Sequence, residues 1–99
     1  MAYIGKVKVP AEWSSLESLI KAQIDGQSSF AFNSSNTYSI QTEEGTLRLC
    51  NASATPELDV DGEHLDEKQF GLFKPDAGTL YARSNTKSGV CLVSVSEVA

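Results

Sequence analysis

The stretch Gly78-Thr79-Leu80-Tyr81-Ala82-Arg83-Ser84-Asn85-Thr86-Lys87-Ser88-Gly89-Val90-Cys91-Leu92-Val93-Ser94-Val95-Ser96 decides how the chain is read. Leu80, Ala82 and Ser84 alternate with Thr79, Tyr81 and Arg83, the period of a half-buried strand. Asn85 to Gly89 is rich in turn residues, and a β-branched run follows it. The pattern is strand, polar turn, strand, and it predicts a closing β-hairpin.

Working back toward the N-terminus, the same period recurs. Gln69 to Phe73, Leu47 with Leu49, Tyr38 with Ile40 and Thr42, and Phe30 with Phe32 all read as strands. Turns are expected at Asn33 to Asn36, Glu43 to Gly45 and Lys74 to Gly78. Strands about every ten residues are the spacing of a sandwich or barrel. Before Ser28 the period is helical. Leu16, Leu19, Ile20 and Ile24 fall on one face, predicting a helix over about Ser15 to Asp25. Ser14 with Glu17 three residues on forms a capping-box pattern, Trp13 is placed to staple the first turns, and Gly26 stands where a C-terminal cap belongs. Tyr3 to Val9 reads as a short strand ended by Pro10. The expected fold is mainly β: an antiparallel, jelly-roll-like β-sandwich with one short N-terminal helix. It forms a single domain over residues 1–99, with residues 1–27 as a strand and helix segment and residues 28–96 as the sandwich.

Composition fits one globular domain. Ninety-nine residues, 40% hydrophobic and 21% charged, should bury roughly 65% of the unfolded surface in one modest core. Eight Lys and Arg against thirteen Asp and Glu leave a net charge of −5, and the basic residues are scattered, so a nucleic-acid partner is not expected. Residues Met1 to Lys8 lack the apolar region and cleavage site of a signal peptide, and no apolar run is long enough to span a membrane. Two Cys are too few for a disulfide scaffold. The chain reads as one made and kept in a cytosol.

One cluster could carry chemistry, the acidic run from Glu57 to Lys68. Glu57, Asp59, Asp61 and Gly62 mimic the start of a calcium loop, with oxygen ligands at alternate positions before a glycine. The twelfth position, where a bidentate Glu closes such a site, is Lys68, so a solvated acidic loop is expected and no metal. His64 is the sole histidine and has no zinc spacing to Cys50 or Cys91. Those two cysteines lie on separate predicted strands, where a thiol is a small buried hydrophobe. No nucleophile, base and orienting residue can be assembled from this inventory, so no catalytic or cofactor-binding residue is assigned. The aromatics Tyr3, Trp13, Phe30, Phe32, Tyr38, Phe70, Phe73 and Tyr81 could stack on a sugar, but alternating aromatics more often build core or cross-strand pairs.

The strand Thr46-Leu47-Arg48-Leu49-Cys50-Asn51, Pro56 with Asp61-Gly62, the strand Gly78 to Ser84 and the run Val90 to Val95 together resemble small tailed-bacteriophage virion proteins, namely head-decoration or head-fibre subunits and tail-associated β-sandwich modules. The likeness covers roughly residues 28–96. It implies a structural virion protein that is not an enzyme, decorates a capsid or forms a head fibre, is made in the bacterial host cytoplasm, and works by contact with other virion proteins. A homo-oligomer is implied, with a trimer favoured by analogy with fibres. A tail or fibre module, or a glycan- or receptor-binding sandwich, is the alternative. The family pattern carries no functional residues onto this chain.

Overall fold

A computed structural model describes residues 2–57, 62–75, 78–85 and 89–98. Among these residues, eight strands and one helix are formed: β1 (Ala2–Pro10), β2 (Ser14–Ser15), α1 (Leu16–Gln23), β3 (Tyr38–Glu44), β4 (Leu47–Ala52), β5 (Glu63–Leu65), β6 (Phe70–Phe73), β7 (Thr79–Ser84) and β8 (Val90–Glu97). They make two four-stranded antiparallel sheets, ordered β1-β8-β3-β6 and β2-β7-β4-β5. Only β4 and β5 are successive strands that pair within one sheet. Every other connection carries the chain to the opposite sheet, and this is the connectivity of a jelly roll. The antiparallel β-sandwich with one short helix is therefore the fold.

The strands themselves follow from the apolar period. Leu80, Ala82 and Ser84 are buried and their neighbours half-buried, while Cys91, Val93 and Val95 line the inner face of β8. Tyr38, Ile40 and Thr42 do the same for β3, as do Leu47 and Leu49 for β4. Val7, Val9, Leu65, Leu16 and Ile20 complete one core shared by both sheets and the helix. Pairing, in contrast, departs from the local reading. The predicted closing hairpin does not form. β7 bonds to β4, with Arg83 opposite Arg48, while β8 lies between β1 and β3 in the other sheet. Thr79–Ser84 and Val90–Glu97 are thus the two sides of an arch, facing each other through the core. The same is true of β3 and β4 around Glu44 and Gly45.

The predicted strand at Phe30 and Phe32 is also absent. Residues 24–37 form turns, closed by Gln27 N–H to Ile24 O, Phe30 N–H to Gln27 O and Asn36 N–H to Asn33 O. Phe30 and Phe32 still point inward, because their rings meet Tyr38 and Phe73 edge-on at 4.8–6.4 Å between centroids. The aromatic contact, not a ladder, holds this segment, and Glu17 adds a carboxylate that accepts from Phe32 N–H at 3.0 Å.

Glu17 is therefore not the partner in a capping box. The N-cap is Ser15, whose hydroxyl accepts from Ser18 N–H at 3.2 Å, while Ser14 belongs to β2 and donates to Glu12 O. The helix closes at Ile24, two residues before Gly26. Its Gln23 amide bonds both Lys8 N–H and Lys8 O at 2.8 Å, so the helix occupies the outer edge of β1. Replacing Ser15 with Ala should lower stability by about 1 kcal/mol in urea unfolding, whereas Ser14→Ala should cost distinctly less, because only Ser15 satisfies a first-turn N–H.

Candidate functional site

The acidic run holds its ends to one face of the β2-β7-β4-β5 sheet. Trp13 Nε1 donates to Glu57 O at 2.9 Å, and Gly62 lies against Leu49 O and the far edge of the Trp13 ring. Leu58 to Asp61, including the candidate ligands Asp59 and Asp61, lie outside the described residues. The surface beneath the anchored ends is cationic. Arg48 stands opposite Arg83 across the β4-β7 pair and opposite His64 across β4-β5. The Arg83 guanidinium carbon sits 5.6 Å from the Trp13 ring centroid, a cation–π distance. Like charges directly opposite on a sheet destabilise it unless balanced, and the Trp13 ring beneath Arg83 supplies part of that balance.

Gly62 and Lys68, which frame the calcium-like pattern, each have another task. Gly62 has φ +66°, and a side chain there would collide with Leu49 O. Lys68 takes φ 69° and gives its N–H to Thr42 O, while Thr42 N–H bonds Gln69 O at 3.0 Å. Two residues face one, which is a β-bulge opening β6. Lys68 Nζ lies 3.4 Å from a Glu43 carboxylate oxygen. The Ser94 hydroxyl donates to the other oxygen at 3.1 Å and, with Lys68, holds Glu43 below its usual carboxylate range. Among the described residues, His64 lies 3.9 Å from Asp66, with half its side chain exposed. Among the described residues, no three His, Cys, Asp or Glu side chains are grouped to hold a metal. Gly62→Ala should destabilise by about 2 kcal/mol or more, because both the backbone angle and the carbonyl contact oppose a methyl group. Chemical denaturation with and without calcium measures this and separates the steric role from a metal-binding one.

The two thiols are free, and they do not share an environment. Cys91 points into the core from β8, while Cys50 is half-buried on β4. Burial pushes the Cys91 thiol up to about 11, despite a hydrogen bond with Ser84 that acts the other way. The thiolate is the reactive species, so Cys91 stays protonated and inert well above neutral pH. The expectation that both cysteines are buried hydrophobes holds fully for Cys91 and in part for Cys50. Alkylation of the native protein at pH 8 should label Cys50 first, with Cys91 reacting only after denaturant is added; peptide mass mapping reads the order.

Two surfaces remain as candidate sites, and both adjoin β6. The first is a cleft of about 260 Å³ between the sheets, with Ile40, Leu49, Leu80 and Phe73 among the apolar residues and Asn51, Glu63 and Lys74 as the polar ones. It lies beside Gly71, whose missing side chain leaves the Glu63 carboxylate 3.5 Å from where a Cβ would stand. The second is the outer face of β6. Phe70 and Leu72 are 62% and 64% exposed there, beside Gln41 and Ser39 of β3. Tyr3, also 62% exposed, stands on the far edge of the same sheet, in the row Leu72, Ser39, Ser96, Tyr3. The sequence places the β6 strand correctly and reads its aromatics as core or cross-strand pairs, which holds for Phe73 and not for the exposed Phe70. Its signal was apolar residues at successive positions around a glycine: Phe73 fills the inner face, leaving Phe70 and Leu72 outside. No protein-family model, curated protein or solved structure matches this chain.

Proposed function

We propose that this chain is a structural virion protein of a tailed bacteriophage, a capsid-decorating or head-fibre subunit that acts by association with other virion proteins and with copies of itself. The observation that carries the reading is the apolar pair Phe70 and Leu72, held in solvent on an edge strand of a jelly roll. Large apolar side chains adjacent on a surface favour protein contacts, and aromatic anchors supply most of the energy of such contacts. The eight-stranded jelly roll is an architecture of viral capsid proteins as well as of lectins and cupins. The resemblance of Thr46–Asn51, Gly78–Ser84 and Val90–Val95 to phage virion modules supports the same choice.

The alternative is a tail or fibre module, or a glycan- or receptor-binding sandwich; the latter is favoured by the inter-sheet cleft, where Asn51, Glu63 and Lys74 rim an apolar floor. Cavities of this composition suit a small ligand, although this one falls just below the usual range of roughly 300 to 1,000 Å³. Mass spectrometry of purified phage particles separates the virion reading from an intracellular one. The protein should be found in particles in many copies. Its confinement to infected-cell lysate would overturn the virion reading.

A further inference from the structure

The geometry points to a two-fold contact in which β6 of one chain pairs antiparallel with β6 of a second copy, centred on Gly71. The inference deepens the association reading by naming the partner and the register.

Four strand edges bound the two sheets, and three of them are blunted. The outer edge of β1 is occupied at Lys8 by the Gln23 amide and is kinked at Gly5, where the register shifts. β2 has two residues and β5 has three, too few for a stable ladder. β6 alone combines four residues, no proline and no charge, and this is the kind of edge that templates a further strand.

The direction of its free backbone groups follows from the bulge. Gln69 O accepts from Thr42 N–H, so Gln69 faces β3. Antiparallel strands alternate, so Gly71 and Phe73 also face β3, opposite Ile40 and Tyr38. The N–H and C=O groups of Phe70 and Leu72 therefore point away from the sheet. Those two residues also carry the exposed apolar side chains.

A second β6 meets these groups in one self-consistent register. Phe70 lies opposite Leu72 of the second copy, Leu72 opposite its Phe70, and Gly71 opposite Gly71. Both Phe70–Leu72 pairs are then hydrogen-bonded pairs, giving four backbone bonds, and the Gly71 pair is the non-hydrogen-bonded one at the dyad. The four apolar side chains gather on one face, where cross-strand aromatic–aliphatic pairs stabilise. A shift by one residue would place side chains of opposite faces together and lose this match. Beyond the ladder this register sets Lys74 of one copy opposite Lys68 of the other, whose ammonium is already paired with Glu43 within its own chain. A four-residue ladder buries less than the roughly 800 Å² per partner of a standard interface, which suits a reversible contact multiplied over many copies. Being two-fold, it makes a dimer of the isolated chain, in place of the trimer that fibre analogy implies.

Sedimentation equilibrium of the purified chain, from micromolar to submillimolar concentration, tests this. A monomer–dimer equilibrium is expected, weakened about tenfold or more by Leu72→Lys, which sets two like charges into the contact. Leu72 is exposed, so the thermal midpoint of the dilute variant should stay near that of the parent. Under mild oxidation Gly71→Cys should crosslink to itself, because Cα atoms about 4.5 Å apart at a non-hydrogen-bonded pair lie within disulfide reach. Phe70→Cys should crosslink far less, as it faces Leu72. The parent chain is the control for Cys50 and Cys91. A monomer throughout, a trimer, or a dimer indifferent to Leu72→Lys with Gly71→Cys uncrosslinked would each overturn the inference. Abundance in virions bears on the functional reading alone, so the two fail separately.

Discussion

Strand β8 is the constraint on which the rest of the structure depends. It bonds to β1 along eight residues and to β3 along six, and its inner face supplies Cys91, Val93 and Val95. A strand paired on both sides and buried on one has no freedom to slip, because a shift of one residue would turn three core side chains to solvent. Its partners come from far away in the chain: Ala2 meets Glu97, and Tyr38 meets the same residue from the other side. The sandwich is closed by long-range pairing, and the arches that carry the chain between sheets are a consequence of it.

That dependence explains which parts of the fold were legible in the sequence. Alternation at Leu80, Ala82 and Ser84, or at Tyr38, Ile40 and Thr42, is a property of each strand and of its burial, so those strand positions and the sandwich class could be read directly; β5, whose Leu65 is buried within the run read as a solvated acidic loop, could not. Pairing is a property of two strands. Nothing in Asn85 to Gly89 distinguishes a hairpin turn from an arch between sheets, and the hairpin reading failed there. Phe30 and Phe32 failed for another reason. An alternating pair of rings fits a strand, but it also fits a looped segment held by edge-on contact with Tyr38. The helix shows a smaller discrepancy: two serines stand side by side before the apolar face, and only the geometry selects Ser15 over Ser14.

The candidate site was less legible than the fold. The acidic run drew attention because carboxylates at alternate positions suggest a cation. Its anchored ends instead rest on the sheet face that carries Arg48 and Arg83, a pairing across more than twenty residues that no local pattern announces. Gly62 and Lys68 look like parts of a metal loop, yet one makes room for a carbonyl and the other builds a bulge. Phe70 and Leu72 were visible as apolar residues, but their exposure depends on Phe73 taking the inner side of a short edge strand.

Trp13 has a consequence of a different kind. It is the sole tryptophan of the chain, almost fully buried, with its indole N–H tied to Glu57 O and a guanidinium over its ring. The aromatic group formed by Phe30, Phe32, Tyr38 and Phe73 contains no tryptophan. The protein therefore carries a built-in optical probe of a single corner. Its emission colour and quenching follow the hold of the Glu57 end on the β2-β7-β4-β5 sheet, while opening around Tyr38 can proceed without being seen by it.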